Sequence, residues 1–303
     1  MTFTWDPNPE LFRFGAFAVR YYGLLFVAVF IGGFYFLRWQ MMRVGWREQD
    51  VSDFVIPGML AVIIGSRLGH VIFYEPGYYF SHPVEIIKFW KGGLASHGAT
   101  LGLIVAGWWF ARQKRMSFAE FGDRFAFSAA TGAALVRLGN FFNSEIVGRV
   151  TDQSWGVRFP LSHEDREAAV RGLSEVPLRH PSQLYEFLMG GAILGVLLLV
   201  DRKLGEKRPR GLLIAIFLVL YFLARFIVEF FKEFQGDLKE VGGLTMGQLL
   251  SIPLFLAGVA WMIWAIRRNL PAASVVPRFT EEPVAAKAAP PKSSGRKPGK
   301  KRR

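Results

Sequence analysis

Residues 137–149 read RLGNFFNSEIVGR and close a run of small and apolar residues, FAFSAATGAALV. A helix continuing to Ser144 puts Arg137, Asn140 and Ser144 on one face, at i, i+3 and i+7. The guanidinium is a planar fork of donors suited to phosphate, and the Asn140 amide adds donors beside it. Asn143 belongs to the same segment, and Glu145 could neutralise Arg137 or hold it in place. Gly139 and Gly148 point to close backbone approach and to a break where the helix ends. The competing reading is a polar helix end that satisfies itself.

Other segments carry matching chemistry. In YFLARFIVEFFK, residues 221–232, Tyr221, Arg225 and Glu229 form an i, i+4, i+8 stripe, in which Glu229 could pair with Arg225 and orient it for an anion. LASHGATLG places His97 at a helix start, where an unperturbed imidazole suits proton transfer near neutral pH. Gly98 and Gly102 give that helix a small-xxx-small face. YYGL supplies Tyr22, and GSRLGHVIFY supplies Arg67 with His70 a turn on. RHPSQLYE reads as a helix start, with Ser182 as N-cap, Tyr185 and Glu186 in the first turn and His180 in a structural role.

Apolar blocks must position these groups. The chain has 303 residues, 51% of them hydrophobic, and a mean hydropathy of +0.26. Seven blocks approach the length that crosses ~30 Å of hydrocarbon: 21–37, 54–74, 94–111, 121–142, 184–200, 212–231 and 246–266. The expected fold is therefore an all-α integral membrane protein of about seven transmembrane helices, with a small extracytoplasmic loop region between helices four and five. Residues 1–20 are expected as an interfacial amphipathic segment rather than a cleavable signal peptide, because Asp6 and Glu10 replace a basic n-region. Residues 21–268 form the membrane domain, with 149–183 as its extracytoplasmic head. Residues 269–303 are expected as a disordered basic cytoplasmic tail.

The net charge of +13 sits largely in that tail, where Lys287–Arg303 hold eight basic residues and no acidic ones. Next to a membrane helix this favours anionic lipid headgroups, not nucleic acid. With the N-terminus outside, the inner connections hold 22 Lys and Arg and the outer ones 11. That bias favours N-outside and C-inside. Arg124, beside Asp123, is expected to snorkel at the cytoplasmic mouth of the fourth block. Arg67, Arg137 and Arg225 then each fall roughly 8–10 Å below the outer surface at 1.5 Å per residue. Tyr22 and His97 stand in the first turns of blocks entering from that side. Charged groups inside a membrane are costly and face a cavity or a partner, so this layer defines a site.

The chain has no cysteine, which excludes disulfides and thiolate metal sites. It also lacks H-E-x-x-H, P-loop and G-x-S-x-G patterns. Arginines, amides, tyrosines and a histidine suit recognition of a phosphate-bearing lipid headgroup, with proton transfer and electrostatic stabilisation and no metal or cofactor. The rival reading is a transporter or flippase for an anionic lipid or solute. No internal repeat supports it, and the polar layer lies away from the midplane.

YYGL, GSRLGHVIFY, SHGATLG, RLGNFFNSEIVGR, RHPSQLYE and ARFIVEFFK, in this order, resemble the bacterial prolipoprotein diacylglyceryl transferases over residues 21–268. Ala99 departs from the resemblance, since a second glycine usually follows the histidine there. The resemblance implies an enzyme of the bacterial cytoplasmic (inner) membrane with its active site toward the periplasm. It implies transfer of diacylglyceryl from phosphatidylglycerol to the lipobox cysteine thiol of a prolipoprotein signal peptide, leaving a thioether and glycerol phosphate. On the same basis His97, Arg225 and Tyr22 are the expected catalytic residues. Arg137, Asn140, Asn143, Glu145, Gly148, Arg67, Tyr221 and Glu229 are the expected substrate-binding residues.

Overall fold

The structure, a computed structural model, describes residues 3–15, 17–234 and 242–274. Their regular structure is helical apart from two small two-stranded sheets built from β1 (Phe3–Thr4), β2 (Glu10–Phe14), β3 (Phe17–Arg20) and β4 (Val157–Arg158). The long helices are α1 (Tyr21–Met42), α3 (Val55–Phe73), α6 (Ser96–Gln113), α7 (Phe118–Phe142), α9 (Ser182–Leu204), α10 (Leu212–Val228) and α11 (Met246–Arg268). Short helices fill the connections: α2 (Glu48–Ser52), α4 (Pro76–Ser81), α5 (Pro83–Ile86) and α8 (Arg166–Arg171).

All seven apolar blocks are thus helices. Among the described residues, six helices are long and apolar enough to cross a membrane. The exception is α6, the 94–111 block. Its 18 residues include Ser96, His97, Arg112, Gln113 and three glycines, and they dilute its apolar character. Local chemistry sets several ends. Ser117 caps α7 by accepting from the Glu120 amide at 3.1 Å. Thr245 and Gln248 form a reciprocal capping box at the start of α11, at 3.2 and 3.0 Å.

The central post is α7, which packs against α1, α9 and α10. Half of it is buried, more than any other spanning helix among the described residues. A second layer pairs α3 with α6, and α11 packs on α10. The α3–α6 pair is closely approached because glycine faces glycine: a Cβ on Gly69 would lie 2.8 Å from the Gly98 Cα, and one on Gly98 would strike the backbone of Gly65. The expected small face of α6 therefore has Gly65 and Gly69 of α3 as its partner.

Ahead of α1 the strands β1, β2 and β3 add a little β structure to the expected helical chain. β1 pairs in parallel with β4, so the N-terminal segment is stitched to the 149–183 region. Trp5 stacks on Phe141 at 4.4 Å between centroids and donates from Nε1 to its carbonyl at 2.8 Å. β2 and β3 pair antiparallel and expose Leu11, Phe12 and Phe14.

Arg124 does not snorkel. It is fully buried, donating to the Gln40 carbonyl at 2.9 Å and pairing with Glu206 at 3.0 Å and Glu120 at 3.3 Å. The start of the expected tail is docked, because Arg210 donates to the carbonyls of Pro271 and Ala273 and Ser274 binds Glu120. Residues 275–303 lie outside the described residues.

Candidate active site

The site forms where α7 ends, α9 begins and α10 ends. Arg137 of α7, Glu186 of α9, and Tyr221 and Arg225 of α10 line one small cavity, floored by Ala133, Gly190 and Ile193. Small residues make room for it, since a Cβ on Gly190 would lie 2.9 Å from Ala134. The Arg137 side chain is mostly buried, and its Nε sits 3.3 Å from a Glu186 oxygen. Its Nη1 reaches Asn140 Oδ1 only at 3.4 Å. Tyr221 lines the same cavity as the guanidinium. Tyr22 stands over Gly139, where an added Cβ would lie 2.9 Å from its ring, and feels the charges of Arg137 and Glu145.

Glu145 acts on Arg137 at one remove. Its two oxygens accept from Asn140 and Asn143, each at 3.2 Å. Its own loop is pinned by α9: Gln183 donates to the Glu145 carbonyl at 2.8 Å, and the Ser182 hydroxyl donates to that of Ile146 at 3.0 Å. Ser182 thus serves the neighbouring loop instead of capping its own helix. Ser144 and Ile146 both take left-handed backbone conformations, with φ of 53° and 57°. For β-branched Ile146 this is strained, and the α9 contacts hold it.

Gly148 belongs to the support rather than the cavity. It bridges Lys232 in antiparallel fashion and donates to the His180 carbonyl at 3.0 Å. A Cβ there would lie 2.6 Å from the Phe231 carbonyl, so only glycine lets three strands of chain meet. Arg179 locks the junction. It grips Asp165 with two hydrogen bonds of 2.7 and 2.8 Å and reaches Glu233 at 2.7 Å. The 149–183 region is tied in this way to the segment following α10.

The expected Arg225–Glu229 ion pair does not form. Glu229 instead approaches Lys232 at 3.9 Å, and Lys232 also lies 3.9 Å from Glu186. Among the described residues Arg225 has no ion-pair partner, so its fork faces the cavity uncommitted.

Two further expectations are displaced. Arg67 donates to the carbonyls of Glu85, Ile86, Gly92 and Gly93 at 2.6–3.1 Å and stacks on Tyr79 at 4.7 Å. With its donors taken, it pegs the connection after α3 and offers no fork to a ligand. His97 is exposed beside α3, where it stacks on Tyr74 and meets Phe73 edge-on. It is not among the residues that line the cavity.

Glu186 and Lys232 were not marked as site residues by sequence reasoning. An acidic residue one turn inside an apolar block was the available signal for Glu186. Lys232 carried none, because it follows the sixth apolar block as an ordinary loop charge.

Fold and site together define a polytopic membrane protein with a cationic cavity near one end of its helices. The chain belongs to the prolipoprotein diacylglyceryl transferase family, whose model matches residues 9–264. It is similar to the phosphatidylglycerol–prolipoprotein diacylglyceryl transferase of Pseudoalteromonas atlantica, with 39% identity over 90% of this chain and 95% of that one. The enzyme of that name from Geobacter sulfurreducens is 40% identical over 87% of this chain and 97% of its own length. The Burkholderia pseudomallei enzyme is 43% identical over 86% and 96%.

Proposed function

We propose that this chain transfers the diacylglyceryl group of phosphatidylglycerol to the lipobox cysteine of a prolipoprotein. The observation that carries the reading is the convergence of Arg137 and Arg225, from different helices, on one cavity with Tyr221. Its chemistry fits the reaction. The cysteine sulfur forms a bond to the terminal glyceryl carbon as the bond from that carbon to the phosphate oxygen breaks. The thiol proton passes to a base, and glycerol phosphate leaves with the bonding electrons. Negative charge therefore grows on the phosphate, where two preorganised guanidinium groups in a poorly hydrated site oppose it best.

Asn140, Asn143 and Glu145 set the position of Arg137, and Tyr22 of α1 packs over Gly139. Arg67 and Gly148 hold the surrounding backbone. His97 stands outside the anion cavity, which suits it to receiving or presenting the thiol rather than holding phosphate. The charge bias of the connections supports seven spans with the N-terminus outside, including α6, and so favours a site on the periplasmic side of the inner membrane.

The direct test is purified protein in micelles with phosphatidylglycerol and a lipobox peptide, read by mass spectrometry. A peptide gaining one diacylglyceryl group is expected; an unmodified peptide in correctly folded micelles overturns the reading.

A further inference from the structure

Glu186 sits where an anion should go. Its carboxylate is about 10% exposed and lies between two cations from separate elements, Arg137 at 3.3 Å and Lys232 at 3.9 Å. Neither contact is a good hydrogen bond, and Glu186 Oε2 is buried without a hydrogen-bond partner. An arginine and a carboxylate fully committed to each other form a short, forked pair. The Arg179–Asp165 pair, at 2.7 and 2.8 Å, is such a pair in the same molecule.

An arriving phosphate on Arg137 would face this carboxylate at close range. Like charges in a poorly hydrated cavity repel strongly, and Glu186 would itself lose its nearest counter-charge. Lys232 is the second cation within 4 Å of Glu186 among the described residues, and its side chain is only 3% exposed. Its backbone is fixed by the bridge to Gly148 and by the Arg149 Nε bond to its carbonyl at 2.9 Å. Arg225, without an ion pair among the described residues, remains for the second phosphate oxygen.

Resting on the phosphate-binding reading above, we propose that Glu186 is an exchangeable internal anion: it orients Arg137 in the empty cavity and shifts onto Lys232 when the substrate phosphate takes its place. Lys232 is then a positioning residue that acts through Glu186. The exchange keeps both arginines ordered without substrate and sets the strength with which the cavity holds phosphate.

The test uses the full-length protein in neutral phosphatidylcholine nanodiscs, titrated with short-chain phosphatidylglycerol and, separately, short-chain phosphatidylcholine. Glu186→Gln removes the competitor and should tighten phosphatidylglycerol binding about tenfold, as expected for close desolvated charges, with KM falling more than kcat changes. Lys232→Met should weaken binding about tenfold or more, and Lys232→Arg should retain it. Glu186→Gln combined with Lys232→Met should recover binding close to that of Glu186→Gln alone, because no carboxylate then needs a new partner.

Unchanged or weaker binding in Glu186→Gln overturns the proposal, as does a double variant as weak as Lys232→Met. If Lys232→Met does not fold, as read by thermal unfolding, Glu186→Gln alone decides. An intact binding pattern without thioether product would refute the transferase reading and leave the exchange standing. Normal transfer with no such pattern would do the reverse.

Discussion

The two ends of the helical bundle both bury charge, and they do it differently. At one end, Arg43 of α1 pairs with Asp201 at 2.6 Å and Glu206 at 2.9 Å, and Arg124 of α7 pairs with Glu206 at 3.0 Å. Asp123 accepts from the amides of Gly211 and Ile214 at 2.7 and 3.0 Å, capping α10. Arg208 binds Asp201 at 3.1 Å and approaches Asp123 only at 3.9 Å. At the other end, the Arg137, Glu186, Lys232 and Glu229 contacts run from 3.3 to 3.9 Å, and Glu186 and Glu229 each keep an oxygen without a hydrogen bond. The first end is a lock in which most partners are spent on one another. The second holds its charges near one another without spending them, as a site awaiting an anion must. Burial of an arginine alone therefore does not mark function, whereas unspent donors facing a cavity do.

The sharpest way to break this comparison is to cut the lock. Arg124→Met leaves Glu120 and part of Glu206 buried without their cation, which should cost about 3–5 kcal/mol of stability. Chemical unfolding in micelles measures it, and activity per folded molecule should stay close to that of the parent. Arg137→Ala should do the opposite. Thioether formation should drop roughly 100- to 1000-fold, the cost of losing one preorganised donor at a developing charge, with little change in thermal midpoint. A large loss of stability there would make Arg137 part of a second lock. Arg225→Lys should lower turnover about tenfold or more, since a point charge does not reproduce a fork; initial rates at saturating lipid provide the check.

Smaller effects sharpen the picture. His97→Ala should reduce turnover less than Arg137→Ala does, because His97 lies outside the cavity. A loss as deep as that of Arg137→Ala would place His97 among the reacting groups.

The smallest effect concerns the junction beneath the head. His180 packs edge-on against Phe231, and burial holds its imidazole below the ordinary value. Protonation then costs more in the folded than in the unfolded chain. The stability it contributes is present above about pH 6.5 and lost as pH falls below the unfolded value and through the folded one. A slight decline in thermal midpoint between pH 7 and 5, absent in His180→Gln, is the expected result.

Much of this was legible in one dimension. Apolar runs gave seven helices near their observed positions, because length and hydropathy act locally. RLGNFFNSEIVGR named Arg137, Asn140, Asn143 and Glu145, and the structure links them in a chain of contacts. Tyr221 and Arg225 were found through their stripe on α10. The errors share a cause. Arg67, Arg124 and Arg225 look alike in sequence, each an arginine in or beside an apolar block, yet one pegs a loop, one closes an ion network and one faces a cavity. The pairing of Glu229 with Lys232 instead of Arg225 was equally hidden, because helical spacing allows a contact without choosing it over a rival from another segment.

By itself the sequence determined which segments are helical, which polar groups lie near their ends, and the family resemblance those motifs carry. Only the tertiary structure decided which charge meets which. Helix formation depends on neighbours within a turn, whereas the fate of a guanidinium depends on carboxylates and carbonyls up to 158 residues away, as between Arg43 and Asp201. Such distant partners compete for each arginine through geometry, and geometry exists only once the helices have packed.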